Sequence, residues 1–280
     1  MTKTLHPARC LFLGSNGKLG LLLQRAWHAM PGPAPVWLAR RGAPDFRWAP
    51  GEPLPPLPEV DSVIALWGCT GGTSAELAVN VDLVPQAVAV AEACGAKSIL
   101  HFSSAAVYGP GVNLDETAPP APANPYGASK LAMESAIRAL PQTGVRHCAL
   151  RLANVVGADS LAPALAPQAA PVTLDRFADG RGPLRSYIAP GDLARVLAAL
   201  AALPPDALPA LVNVAAPDPV RMEDLAHAAG RPVAWRDAPN SAHQCVTMDA
   251  SQLEHLFPEM KFHRSAERFI ADWRNPESLQ

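Results

Sequence analysis

The stretch that most constrains the fold lies near the amino terminus. A short apolar run, Arg9-Cys10-Leu11-Phe12-Leu13, stops at Gly14-Ser15-Asn16-Gly17-Lys18-Leu19-Gly20. Leu21, Leu22, Leu23, Ala26, Trp27 and Met30 then recur with mostly helical spacing. A strand, a glycine-rich turn and a helix, in that order, begin a parallel sheet covered by helices. Glycines allow the tight turn and a close backbone approach, and the free amides of the helix start attract an anion. This is the physical context of a pyrophosphate site, although the spacing is GxxGxxG and not the commoner GxGxxG. A glycine-rich turn can precede any helix; its place after an apolar strand near the chain start favours the binding reading.

The rest of the chain repeats the alternation. Apolar strands are expected at 9–13, 36–39, 61–67, 98–103 and 147–152, and helical runs near 18–30, 75–94 and 125–140, with Pro85 dividing the middle run. The fold class is therefore α/β, a Rossmann-type doubly wound parallel sheet. Residues 1–152 are expected to form a dinucleotide-binding core. Residues 153–280 are expected to supply mainly a small C-terminal substrate lobe, interleaved with the last core strands. A helix from Asp192 to Leu203 should be capped by Asp192. With 280 residues, 49% hydrophobic and 17% charged, the chain can bury a large core and is not disordered.

A net charge of −2 gives no reason to expect nucleic acid or a membrane surface as partner. The basic start from Lys3 to Arg9 precedes only four apolar residues, too few for a secretory segment, so a cytoplasmic location is expected. Five cysteines without a C-x-x-C pair point to reduced thiols. The histidines lack metal-ligand spacing, and no metal is expected. Prolines crowd residues 50–58 and suggest stiff loops.

Two further segments carry chemistry. In Asn124-Pro125-Tyr126-Gly127-Ala128-Ser129-Lys130, Asn124 suits an N-cap and Pro125 the first helical position. Tyr126 and Lys130 then lie one turn apart on one face. A nearby ammonium and the helix dipole would lower the phenol's pKa and make Tyr126 a proton shuttle. Ser103 and Ser104 end the strand that begins at Ser98, where ligands of open α/β sheets sit. Either pair alone is commonly just surface or strand-end polarity; together with the glycine turn they make a site.

In order along the chain, these motifs resemble the extended short-chain dehydrogenases/reductases, the NAD-dependent epimerase/dehydratase family. Gly14 to Gly20 fits its cofactor loop, and Asp61 to Gly68 its fourth strand. Ser103 to Gly109 fits the catalytic serine strand, and Asn124 to Lys130 the YxxxK helix with Glu134 in the acidic position after it. Leu150 to Gly157 is similar to the strand and turn near the nicotinamide. Arg185 to Ala194 resembles the segment with a substrate arginine and a helix-starting aspartate. Leu211 to Ala215 looks like a late strand of the substrate lobe, and Met248 to Trp273 like the closing helices.

The resemblance implies hydride transfer with Tyr126 as acid/base, Lys130 on the nicotinamide ribose, and Ser104 holding the reacting oxygen. It also implies cofactor contacts from Gly14, Ser15, Asn16, Gly17, Lys18, Leu19, Gly20, Leu66, Trp67, Gly68, Asn80, Ser103, Tyr126, Lys130 and Ala153, and substrate contacts from Ser104, Asn154 and Arg185. A homodimer built on the YxxxK helix is common in relatives.

Charge bears on the cofactor. The second strand ends at Arg40 and Arg41, which suit the 2′-phosphate of NADP, whereas an acidic residue there would suit NAD. NADP is favoured, with NAD as the alternative. Two departures stand out. No ordinary helix fits between Trp48 and Asp61. The segment from Gly157 to Asp179 is also shorter than in relatives that bind nucleotide sugars. The expected function is therefore NAD(P)-dependent oxidoreduction of a small, sugar-like alcohol or carbonyl compound; the alternative is a nucleotide-sugar epimerase with retained NAD.

Overall fold

The computed structural model describes residues 6–141, 144–167 and 170–275. Lys3, part of the basic start, lies outside them. The chain divides into two compact units. The first comprises residues 1–109, 120–151 and 194–212; the second comprises 110–119, 152–193 and 213–280.

In the first unit, β1 (Cys10–Leu13) leads through the glycine turn into α1 (Lys18–His28). Then follow β2 (Val36–Ala39), β3 (Phe46–Arg47), β4 (Ser62–Ala65), α2 (Ser74–Leu77), α3 (Val79–Ala93) and β5 (Ser98–Ser104). A 3₁₀ turn at Ala105–Val107, α4 (Pro125–Arg138) and β6 (Arg146–Leu152) complete the run. β1 pairs in parallel with both β2 and β4, β2 with β3, and β4 with β5. Among the described residues, one sheet has the order β11-β6-β5-β4-β1-β2-β3, where β11 is Leu211–Val214. The order turns away from β1 in both directions, as a doubly wound sheet requires. Its strands are apolar on both faces because helices cover both. Leu11, Leu13, Leu38, Val63, Ala87, Val90 and Ile99 share one buried cluster.

The second unit contains β7 (Asn154–Val155), α5 (Ala162–Leu165), β8 (Val172–Arg176), β9 (Leu184–Arg185) and β10 (Tyr187–Ile188). α6 (Pro190–Ala201) begins in it. β12 (Val220–Arg221), α7 (Met222–Ala228), β13 (Val233–Asp237), β14 (Cys245–Val246), α8 (Ser251–Leu256) and α9 (Ala266–Arg274) follow. β8 pairs in parallel with β13, and β9 lies between β12 and β14. Leu165, Leu174, Tyr187, Leu225 and Phe269 lie in its core.

Three expectations need correction. Pro85 does not divide the middle helical run: the break falls at Ala78, and α3 continues through the proline. The proline's lost hydrogen bond is local, and Val84 and Ala87 beside it are buried, so packing holds the helix. Leu211–Val214 is not a strand of the smaller lobe but an edge strand of the main sheet. Asp192 does not cap its helix, which starts at Pro190. Its carboxylate instead accepts from the His263 backbone N–H at 2.8 Å and faces the His263 ring at 2.7 Å. Among the described residues no helix is long and apolar enough to cross a membrane.

The join between β1 and α1 is tight. A Cβ on Gly20 would collide with the carbonyl oxygen of Ser15. Gly20→Ala is therefore expected to destabilise the protein by about 1–3 kcal/mol. Thermal denaturation of the variant should read this as a fall of several degrees, and an unchanged midpoint would contradict the packing described.

Candidate active site

The glycine turn brings Gly14, Ser15, Asn16, Gly17, Lys18, Leu19 and Gly20 together as the sequence predicts. The Gly14 and Ser15 amides donate to the Leu38 carbonyl at 2.9 and 3.3 Å, which ties the turn to β2. The Asn16 side-chain amide donates to the carbonyl of Arg41. Arg40 and Arg41 are exposed just beyond β2. Gly17 is the N-cap of α1; no side chain caps that helix, and no acidic residue lies in its first turn. A Cβ on Gly17 would meet only the Gly14 oxygen, at 3.6 Å. Gly20 is thus needed by the protein's own packing, while Gly17 leaves the backbone open to a ligand. An uncapped helix start with open backbone and no carboxylate fits a dinucleotide pyrophosphate.

The second side of the site follows β4. The Leu66 amide donates to the Leu13 carbonyl at 3.1 Å, and Trp67 packs against Trp48 with ring centroids 5.9 Å apart. At Gly68, φ is +152°, and an added Cβ would lie 2.7 Å from Asn80 Oδ1 and 3.2 Å from Lys130 Nζ. Asn80 is buried and holds this loop from both ends. Its Oδ1 accepts from the Cys69 amide at 2.9 Å, and its Nδ2 donates to the Cys69 carbonyl and to Ser129 Oγ, each at 3.0 Å.

α4 supplies the remaining groups. Asn124 caps it by accepting from the Gly127 amide at 2.8 Å, with Pro125 in the first turn. Tyr126 lies beside Ser104, whose Oγ accepts from the Ala106 amide at 3.1 Å. Lys130 is 4% exposed; its Nζ donates to the Phe102 carbonyl at 2.9 Å and lies 6.0 Å from the centre of the Tyr126 ring. Ser104, Tyr126 and Lys130 therefore converge.

Their electrostatics differ from the expectation. Burial pushes the Tyr126 phenol up, and the neighbouring Ser104 hydroxyl only partly offsets it. Burial likewise pulls Lys130 down to about 8. On helical spacing alone the Lys130 ammonium would lower the phenol. Desolvation of the phenol sets the direction instead.

Ser103, read as a cofactor contact, has its hydroxyl engaged elsewhere: Oγ donates to Glu134 Oε1 at 2.6 Å. Two arrangements escaped the sequence reading. Glu134 is chelated by Arg151 at 3.0 and 2.8 Å, and the guanidinium lies 4.4 Å from the centre of the Tyr108 ring. His101 and His147, on β5 and β6, approach to 3.1 Å between Nε2 and Nδ1. β5 buries His101 and β6 buries Arg151, but neither strand's own sequence names the partner.

The other predicted contacts belong to the second unit. The Ala153 amide donates to the Val214 carbonyl at 3.0 Å. Asn154 Nδ2 donates to the Ser186 carbonyl at 3.2 Å. Arg185 donates through Nη1 to the Leu184 and Gln244 carbonyls and through Nη2 to that of His243, all at 2.8 Å. Its guanidinium is thus engaged by the backbone around β9 and β14.

Comparison with known proteins bears on this site. Residues 61–215, more than half of the chain, match the model of the NAD dependent epimerase/dehydratase family. The chain belongs to that family. The expectation of an enzyme of the extended short-chain dehydrogenase/reductase type is met at that level. A 68-residue stretch is 47% identical to a UDP-glucose 4-epimerase of Azospirillum brasilense, covering 23% of this chain and 20% of that relative. A solved structure of MoeE5 in complex with UDP-glucuronic acid and NAD aligns with 97% of this chain and 100% of its own. Its TM-score is 0.76 and its identity 22%. DesIV of Streptomyces venezuelae, a dTDP-glucose 4,6-dehydratase with NAD and TYD bound, aligns over 96% of this chain and 98% of its own, with TM-score 0.68 and 17% identity. At such identities the two structures speak for the fold.

The histidine pair makes stability depend on pH. Burial, then His147, then Lys130 pull His101 from 6.5 down to about 3. The folded form refuses a proton that the unfolded chain accepts near its ordinary value. The associated stability is therefore fully present above about 6.5 and is lost as pH falls toward about 3. Denaturant midpoints should drop between about pH 7 and about pH 4.5, and drop less in His101→Gln. An equal acid dependence in both proteins would contradict the assignment.

Proposed function

We propose that the protein catalyses NAD(P)-dependent oxidation–reduction at a secondary alcohol or carbonyl carbon of a sugar, with Tyr126 as acid/base. The observation that carries this reading is the contact of the Tyr126 phenol with Ser104 one helical turn from Lys130. The open glycine turn of the same unit supports a place for the cofactor.

The residues divide the work. Gly14 to Gly20 would hold the pyrophosphate, and Gly68, Asn80 and Lys130 would line the nicotinamide end. When bound, the nicotinamide supplies the hydride donor or acceptor. Ser104 would hold the substrate oxygen by hydrogen bond. The phenol, kept protonated by burial, would give its proton to that oxygen in the reducing direction. In the oxidising direction the phenolate, favoured by the neighbouring Lys130 ammonium, would take the proton back.

The substrate we infer is a sugar on a nucleoside diphosphate. The short segment after Gly157 speaks against this only until the MoeE5 chain is considered, because the present chain aligns with all of that protein, whose solved structure holds a UDP-sugar. Epimerisation with retained NAD is the second reading, favoured by the local identity to a UDP-glucose 4-epimerase. The exposed Arg40 and Arg41 support NADP as the cofactor, whereas the solved structures compared above carry NAD.

Three measurements test this. Tyr126→Phe should lower turnover at least about a hundredfold while cofactor affinity changes little; full activity would end the acid/base assignment. Arg40→Asp should weaken NADP binding about tenfold or more and leave NAD nearly unchanged in calorimetric titration. Equal losses for the two cofactors would refute the NADP preference. Nicotinamide absorbance carried through purification, with UDP-sugar turnover needing no added cofactor, is the outcome expected of the epimerase alone.

A further inference from the structure

We propose that Glu134, clamped by Arg151, is a positioning residue that sets the contact between Tyr126 and Ser104. The proposal rests on the acid/base reading of Tyr126 given above.

Tyr126, Lys130 and Glu134 recur at every fourth position of α4 and so form one stripe. That stripe touches three consecutive residues at the end of β5. Tyr126 lies beside Ser104, Lys130 Nζ donates to the Phe102 carbonyl at 2.9 Å, and Glu134 Oε1 accepts from Ser103 Oγ at 2.6 Å. The third lies on the far side of Lys130 from Tyr126 and so fixes the stripe against β5 at a further point.

The carboxylate cannot drift. Glu134 is 1% and Arg151 2% exposed, and the guanidinium grips both carboxylate oxygens at 3.0 and 2.8 Å. Two parallel charge-assisted bonds fix orientation as well as distance. Arg151 comes from β6, the neighbour of β5, so the clamp ties helix and two strands into one frame. The same guanidinium lies against Tyr108, the residue closing the 3₁₀ turn that contains Ala106. The Ala106 amide in turn holds Ser104 Oγ at 3.1 Å. Arg151 therefore supports both partners of the Tyr126–Ser104 contact, one through Glu134 and the other through the turn.

An ion pair this deep could serve stability alone, and the test separates the two roles. Glu134→Leu/Arg151→Met replaces the pair with apolar side chains of comparable bulk, which often preserves stability. The readouts are the melting temperature, calorimetric affinity for NAD and NADP, and the phenolate absorbance of Tyr126, identified by its loss in Tyr126→Phe. The nearby Ser104 hydroxyl lowers the phenol, so moving the two apart should raise the titration midpoint. We expect a folded double variant that binds cofactor like the parent. Its Tyr126 titration should move up by about half a pH unit or more, and its turnover should fall about tenfold or more.

A stable double variant with parental titration and turnover would overturn the proposal. Should that variant fail to fold, Ser103→Ala removes only the bond to Glu134 and leaves the ion pair. The same upward displacement is then expected, and its absence overturns the proposal equally. Full turnover in Tyr126→Phe would instead remove the acid/base reading while the titration still reports on positioning.

Discussion

A buried ammonium governs the first unit. Taking a lysine out of water costs several kcal/mol unless other groups replace its hydration. The hydrogen bonds made by Lys130 go to the Phe102 carbonyl and, weakly, to the Met133 sulfur. Neither neutralises the charge, and burial accordingly draws Lys130 down to about 8. Its surroundings are shaped around that cation: a glycine at position 68 leaves room for it, and Asn80 holds the Cys69 backbone beside it from both ends. A site that keeps a charge under such tension is ready for an anionic or strongly dipolar group to relieve it.

Legibility in the sequence tracked the range of the interaction. The glycine turn, the N-cap at Asn124 and the Tyr126–Lys130 spacing are contiguous, and they reappear in the structure where the residues placed them. So do the strands, whose apolar runs are long enough to announce themselves. What was hidden is long-range in sequence. His101 meets His147, and Glu134 meets Arg151, only after β6 has been laid beside β5 and α4 across them. No local period encodes such pairs. The electrostatic error has the same origin. From spacing alone Lys130 should acidify Tyr126; desolvation of the phenol, a property of the whole fold, raises it instead.

Arg185 shows the converse. A motif placed it correctly on a strand, but its role depends on what the strand meets. The carbonyls of Leu184, His243 and Gln244 converge on its guanidinium, so in this conformation it braces β9 against β14. Releasing those bonds would be part of any engagement of Arg185 with a ligand. The contrast with Asn80 is instructive: both side chains bind backbone, but Asn80 spends its amide on a loop at the cofactor end, and Arg185 its charge on a strand pair.

The margin of the main sheet at β3 has a different kind of importance. Phe46–Arg47 gives it only two residues of pairing, and the chain then runs without helix or strand through Pro50, Pro53, Pro55, Pro56 and Pro58. Proline has no amide hydrogen to offer, and so short a strand presents little template. The stretch that lacks the usual helix thereby guards the open side of the sheet against recruiting a strand from another molecule, and protects the protein from fibrous self-association.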